Sequence, residues 1–83
     1  MPLNSPATAD ALIGGLRGIL TVTYMPLTHV VGRLDTSTPT WVLYLDSDSA
    51  LEDHCWVMLD VLNILTFGVE AAASATPGLR LVR

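Results

Sequence analysis

The chain has 83 residues, 51% apolar and 14% charged, with a formal net charge of −4, four Arg and no Lys. So apolar a composition argues against a disordered tail, and so acidic a balance argues against a nucleic-acid partner, because binding phosphates needs a basic face. The cationic side chains are also scattered along the chain rather than clustered, at Arg17, Arg33, Arg80 and Arg83.

Cysteine content and apolar runs predict where the protein resides. Cys55 is the lone cysteine, so the chain forms no internal disulfide, which favours a reducing compartment. The first ten residues lack the basic and apolar regions of a secretory signal. The longest apolar stretch, residues 55–67, is interrupted by Asp60 and Asn63 and is shorter than the roughly 20 residues of a membrane span. We therefore expect a cytoplasmic protein that does not enter membranes.

The N-terminal part of the chain predicts an arm followed by a short helix. Residues 1–8 are rich in Pro, Ser and Thr and are expected to be a loose arm on a single domain that spans residues 1–83. From Ala9 onward the apolar residues recur at helical spacing, but three glycines weaken this helix. The apolar positions are Leu12, Ile13, Leu16, Ile19 and Leu20.

Three strands are predicted next, at residues 20–24, 27–34 and 41–46. The first alternates apolar and polar residues, and Pro26 ends it because proline lacks a ladder donor. The polar run at residues 35–40 predicts a turn. The third strand is almost continuously apolar, which is typical of a central strand.

A long helix is predicted from Ser49 to Gly68. Ser49 and Glu52 have the spacing of a capping box, and Gly68 is the residue that most easily adopts the left-handed conformation that ends a helix. Beyond it, residues 69–75 are expected to form a helical turn or loop, and Pro77 and Gly78 a turn. The sequence leaves open whether residues 79–83 join the sheet as a short edge strand. The predicted class is α+β, with a small three- to four-stranded, mainly antiparallel sheet covered by the long helix (about 50–67) and the shorter N-terminal helix.

The long helix has more apolar surface than one core requires. Twelve of the 18 residues at positions 50–67 are apolar. At 100° per residue a core stripe forms from Leu51, Met58, Val61, Leu62 and Leu65, whereas Trp56, Leu59 and Phe67 project to the other side. A marginal domain of this size gains by covering these three side chains with a second chain, and two-fold dimers are the commonest soluble assembly.

The densest polar cluster comprises Asp46, Asp48, Glu52 and Asp53. Its start has the spacing of an EF-hand calcium loop, but Leu51 stands where that loop needs glycine. The run 42–48, VLYLDSD, resembles the first motif of haloacid-dehalogenase-type phosphotransferases, a family with a far larger doubly wound domain; we assign the chain to no family. Acidic residues at a helix start stabilise its positive end, so we predict capping and no metal site.

Two histidines and the cysteine complete the candidate residues. Adjacent helical side chains diverge, so His54 and Cys55 do not form a nucleophile pair, and both are predicted to be structural. His54 is expected on the core stripe of the helix, and His29 in the second strand, on the same face as Val31 and Arg33. Two histidines without a third ligand are weak evidence for a metal.

The sequence therefore favours a small interaction module without catalytic activity or cofactor, forming a homodimer, or binding another protein, through Trp56, Leu59 and Phe67. The alternative is a small-molecule-binding protein or a general acid/base enzyme. Its pocket would be lined by Asp46, Asp48 and His54, with Tyr24 or Tyr44 nearby.

Overall fold

The computed structural model describes residues 6–68, 70 and 78–82. The class is α+β, with two helices and a four-stranded sheet among the described residues. In chain order the elements are α1 (Pro6–Arg17), β1 (Thr21–Met25), β2 (Gly32–Asp35), β3 (Val42–Asp46), α2 (Leu51–Phe67) and β4 (Leu79–Val82). Helix α1 begins at Pro6 and so includes residues 6–8, which the sequence assigned to the arm; residues 1–5, 69, 71–77 and 83 lie outside the description.

The sheet is mixed, so the prediction of a mainly antiparallel sheet was wrong. The strand order is β1-β3-β2-β4, with β2 antiparallel to β3, β1 parallel to β3 and β4 parallel to β2. Strand β3 is an inner strand, as its apolar run predicted. It lies between β1 and β2, so these two consecutive strands do not pair with each other, although consecutive strands with a short connection commonly do. Strand β4 is an edge strand, so residues 79–82 join the sheet, which the sequence left open.

The connection between β1 and β2 explains this arrangement. Residues 26–31 form no strand, and His29 within them has φ of 66° and an exposed side chain. The prediction of a second strand at residues 27–34 that includes His29 was therefore wrong, since β2 begins at Gly32. The backbone turns at His29 instead of pairing, and β1 is left to pair with β3.

Both helices cover one face of the sheet. The strand register places Val22, Leu34, Leu43 and Leu45 on this face, and all four are buried. Helix α1 packs against α2 and β1, and α2 passes close to Gly32, where an added Cβ would lie 2.5 Å from Val57 Cγ1. The opposite face, called the open face below, carries Thr21, Thr23, Met25, Arg33, Asp35, Val42, Tyr44, Asp46, Arg80 and Val82.

The two ends of α2 differ from each other in how well the sequence predicted them. The predicted capping box is wrong: Ala50 is the N-cap and makes no side-chain capping bond. The Ser49 hydroxyl instead donates to Asp46 Oδ2 at 2.6 Å. At the other end the N–H of Gly68 donates to the Ile64 carbonyl at 2.8 Å, so the predicted stop at this glycine is confirmed. Its φ of 95° and ψ of 173° are not those of the left-handed conformation that the sequence predicted.

The buried side of α2 is rotated from the predicted stripe. Met58 and Val61 are buried as expected, but Leu51, Leu62 and Leu65 are only half-buried. Val57 and Ile64 occupy the core in their place, because the helix presents that side to the sheet. The complete buried set is His54, Cys55, Val57, Met58, Val61 and Ile64. Neither described helix combines the length and apolar content that spanning a bilayer requires.

Candidate functional site

The outer face of α2, defined by Glu52, Trp56, Leu59, Asn63 and Phe67, carries both aromatic residues of the helix. Trp56 is 45% exposed and Phe67 is 74% exposed, whereas Leu59 is half-buried at the margin. Trp56 and Phe67 are eleven residues apart. They therefore project within about 20° of each other and are separated by about 16 Å along the helix axis. The outer face thus has an aromatic anchor at each end.

Polar side chains lie between the two aromatic anchors. Asn63 is exposed and Asp60 is half-buried, and both occupy the stretch of helix between Trp56 and Phe67. Aromatic side chains interspersed with hydrogen-bonding groups are typical of protein interfaces, where the aromatic groups supply burial and the polar groups fix orientation.

The end of β3 forms a second candidate site around Asp46. Its Oδ1 accepts hydrogen bonds from the backbone N–H of Leu27 at 3.1 Å and of Asp48 at 3.3 Å. Its Oδ2 accepts from the Ser49 hydroxyl. The Ser49 hydrogen bond, followed by that from Leu27, lowers the pKa of the Asp46 carboxyl below its ordinary value. The carboxylate therefore joins the β1–β2 connection to the start of α2.

His54 lies beside Asp46 but contacts its backbone rather than its carboxylate. The imidazole is 7% exposed, and its Nε2 donates to the Asp46 carbonyl at 2.5 Å. A carbonyl only accepts, so this ring nitrogen carries the hydrogen. The Tyr24 ring packs against the imidazole with centroids 5.8 Å apart. Tyr44 lies on the open face and does not join this group, and Asp48 is exposed and contributes its backbone N–H.

These hydrogen bonds limit the chemistry that is available around Asp46 and His54. Both carboxylate oxygens of Asp46 and Nε2 of His54 already have partners. Cys55 is buried, and burial raises the pKa of its thiol, with a smaller contribution from Glu52. Within the described residues, no three His, Cys, Asp or Glu side chains are placed to hold a metal ion.

A shallow cleft of about 220 Å³ lies near the start of β3, away from Asp46. Its walls are mainly apolar, and the lining residues include no titratable side chain that would perform acid/base chemistry. Five residues line it: Ile19, Leu20, Pro39, Trp41 and Leu65.

The structure also brings together two arginines that lie far apart in the sequence. Arg33 of β2 and Arg80 of β4 are direct register partners on the open face. The Arg33 guanidinium lies over the Tyr44 ring, 4.6 Å from its centroid. Their separation of 47 positions concealed this pair, because it depends on β4 pairing in parallel with β2.

Comparisons with protein-family models, curated proteins and solved structures found no match for the chain. The function must therefore be argued from these surfaces themselves.

Proposed function

We propose that this protein is a small cytoplasmic interaction module, without catalytic activity of its own, that forms a homodimer through the outer face of α2. The observation that carries the proposal is the exposure of Trp56 and Phe67 on one stripe of the helix. Large aromatic groups contribute most of the energy of protein interfaces when they become buried.

The order of residues on this stripe suits a second copy of the same chain. A two-fold axis passing between Val61 and Leu62 makes two antiparallel copies of α2 place Trp56 opposite the partner's Phe67. The same axis places Asp60 opposite the partner's Asn63, whose amide N–H groups can donate to a carboxylate. An isologous interface requires such self-complementarity, and it avoids juxtaposing the two Asp60 side chains.

The size of the exposed aromatic surface sets the expected affinity. The exposed parts of Trp56 and Phe67 amount to roughly 250 Å² per copy. Burying this area in both copies is worth on the order of 12 kcal/mol, against an association cost of about 4–15 kcal/mol. The two terms are comparable, so we expect a reversible dimer with micromolar affinity to which Leu59 and the polar rim also contribute.

The contacts around Asp46 and His54 make the pocket hypothesis the less favoured one. A general base needs an acceptor atom that can reach a substrate, but the hydrogen bonds of Asp46 connect two loops of its own chain. His54 is buried and donates to a backbone carbonyl. These contacts support a structural role for both residues.

Cross-linking tests the antiparallel arrangement. Two variants, Asp60→Cys and Asn63→Cys, are made in a Cys55→Ala background. One of them is ¹⁵N-labelled so that mixed and unmixed dimers differ in mass, and the mixture is oxidised mildly to form disulfides. We expect the mixed disulfide to form fastest, because positions 60 and 63 face each other across the axis. Asp10→Cys, exposed on α1, is the control for random collision. If the mixed disulfide formed no faster than the disulfide between two copies of Asp10→Cys, the proposal would be contradicted. A predominant disulfide between two copies of Asp60→Cys would indicate parallel helices, which also contradicts the antiparallel arrangement.

A further inference from the structure

A row of side chains crosses the open face perpendicular to the strands. The register aligns Thr23 of β1 with Tyr44 of β3, Tyr44 with Arg33 of β2, and Arg33 with Arg80 of β4. Side chains at register partners of neighbouring strands project from the same face of the sheet, and neighbouring strands lie about 4.8 Å apart. The row therefore presents one hydroxyl, one phenol and two adjacent guanidinium groups.

The first guanidinium is held in place and the second is accessible. Arg33 is half-buried and stacks on Tyr44, a contact that orients the guanidinium and limits its rotamers. Arg80 is exposed on β4, whose pairing with β2 is extended by the hydrogen bonds of Thr36 to the Val82 carbonyl. The pair combines a fixed donor group with a neighbouring one that can close on a ligand.

Two positive charges placed directly opposite each other on neighbouring strands repel, which is unexpected in a chain whose net charge is −4. The two carboxylates described on the open face accept hydrogen bonds from groups other than the arginines. Asp35 Oδ1 accepts from both the N–H and the hydroxyl of Ser37, and the Asp46 carboxylate accepts from Leu27 and Ser49. Asp35 offsets part of the charge of Arg33, with which it interacts electrostatically. An anion between the two guanidinium groups would relieve the repulsion that remains between them.

We propose that Arg33 and Arg80 form a binding site for a phosphate group, with Tyr44 as the platform that positions Arg33. Guanidinium groups recognise phosphate through paired N–H donors, and a phosphate has enough oxygen atoms to accept from both arginines at once. The ligand is small, either inorganic phosphate or a phosphate monoester. Two arginines on an acidic protein do not provide the extended basic surface that a nucleic acid requires.

The test is a titration with inorganic phosphate at constant ionic strength, followed by the NMR signals of the arginine Nε–H groups. We expect saturable shifts at Arg33 and Arg80 with a millimolar midpoint. Arg80→Gln should weaken binding about tenfold or more, since charge-assisted hydrogen bonds are lost. The matched control Arg17→Gln removes an equal charge from the end of α1 and should bind like the wild type.

Competing ligands and a folding control complete the experiment. Phenyl phosphate binding more tightly than inorganic phosphate identifies a monoester ligand, and equal binding identifies the free anion. The proposal would be overturned if acetate bound as tightly as phosphate, or if sodium chloride reproduced the shifts. It would also be overturned if Arg80→Gln bound phosphate with wild-type affinity. Arg80→Gln should not lower the midpoint of thermal unfolding, so loss of binding with an unchanged midpoint separates a lost ligand contact from a lost fold. The site is remote from the outer face of α2, and its test is independent of dimerisation.

Discussion

Among single residues, Asp46 connects more of the structure than its position at a strand end suggests. Its carboxylate accepts from Leu27, Asp48 and Ser49, and its carbonyl accepts from His54. One residue thus fixes the β1–β2 connection, the turn after β3 and the first part of α2. Because these bonds favour the ionised carboxylate, they also make the stability of the fold depend on pH.

We predict that Asp46 supplies stability at neutral pH that is lost in acid. Its pKa is lower in the folded chain than in the unfolded one. A depressed carboxyl pKa adds stability above the unfolded value of about 3.9, and this stability is lost as pH falls through the folded value. Asp46→Ala should therefore lower the unfolding midpoint at pH 7 and have a smaller effect at pH 2. Thermal unfolding followed by circular dichroism measures this, with Asp48→Ala as the exposed control; equal loss at both pH values would contradict the account.

Side-chain roles were predicted well only where they depend on position along one helix. The sequence indicated the burial of His54 and Cys55, because helical geometry places both near the core. It assigned Ser49 to the wrong partner, since a hydroxyl before a helix can bond either the helix amides or a preceding carboxylate. The pairing of Arg33 with Arg80 depends on strand register far along the chain, which local pattern does not encode.

At the scale of elements, the approach of α2 to the sheet depends on Gly32. The position lies on the helix-covered face of β2, opposite the buried Leu45. The space that a side chain would fill there is occupied by Val57, which is itself buried and β-branched. A stiff neighbour of this kind cannot move aside by changing rotamer at low cost. Helix α2 can therefore approach the sheet this closely because residue 32 is a glycine and has no side chain.

We predict that Gly32→Ala destabilises the fold by about 1–3 kcal/mol, because the new methyl group overlaps Val57 Cγ1. Gly14→Ala is the matched control. It lies in α1, where a Cβ meets nothing within 4 Å, and it should stabilise the fold by about 0.5–1 kcal/mol. Urea unfolding gives both values. Equal stability of Gly32→Ala and the wild type would show that α2 does not pack as closely as described.

The elements themselves were largely predictable, but their pairing was not. Alternation marked β1, the apolar run marked the inner strand β3, and the helical period with Gly68 marked α2. The strands predicted at residues 20–24 and 27–34 follow each other closely, which favoured antiparallel pairing. The observed connection is longer, at residues 26–31, and includes the positive φ of His29. The parallel strands β2 and β4 are separated in the chain by β3 and α2, so their pairing depends on contacts between distant residues.

At the scale of the whole molecule, the helices cover one face of the sheet and leave two surfaces with different chemistry. The outer face of α2 presents aromatic groups, whereas the open face presents the arginine pair beside Tyr44. A domain of 83 residues buries only a limited share of its surface on folding, so its free energy of unfolding is small. Covering the aromatic face by a second copy adds burial without lengthening the chain.

Sedimentation velocity across the micromolar concentration range tests the proposed dimer most directly. We predict that the wild type sediments as a dimer that dissociates reversibly on dilution. Phe67→Ser should weaken association at least tenfold while the monomer stays folded, because this side chain is largely exposed. Ile19→Ser, which removes an apolar group that is 62% exposed elsewhere, should leave the dimer intact. A wild type that remains a monodisperse monomer at every concentration, or a dimer that Ile19→Ser disrupts and Phe67→Ser does not, would contradict the proposal.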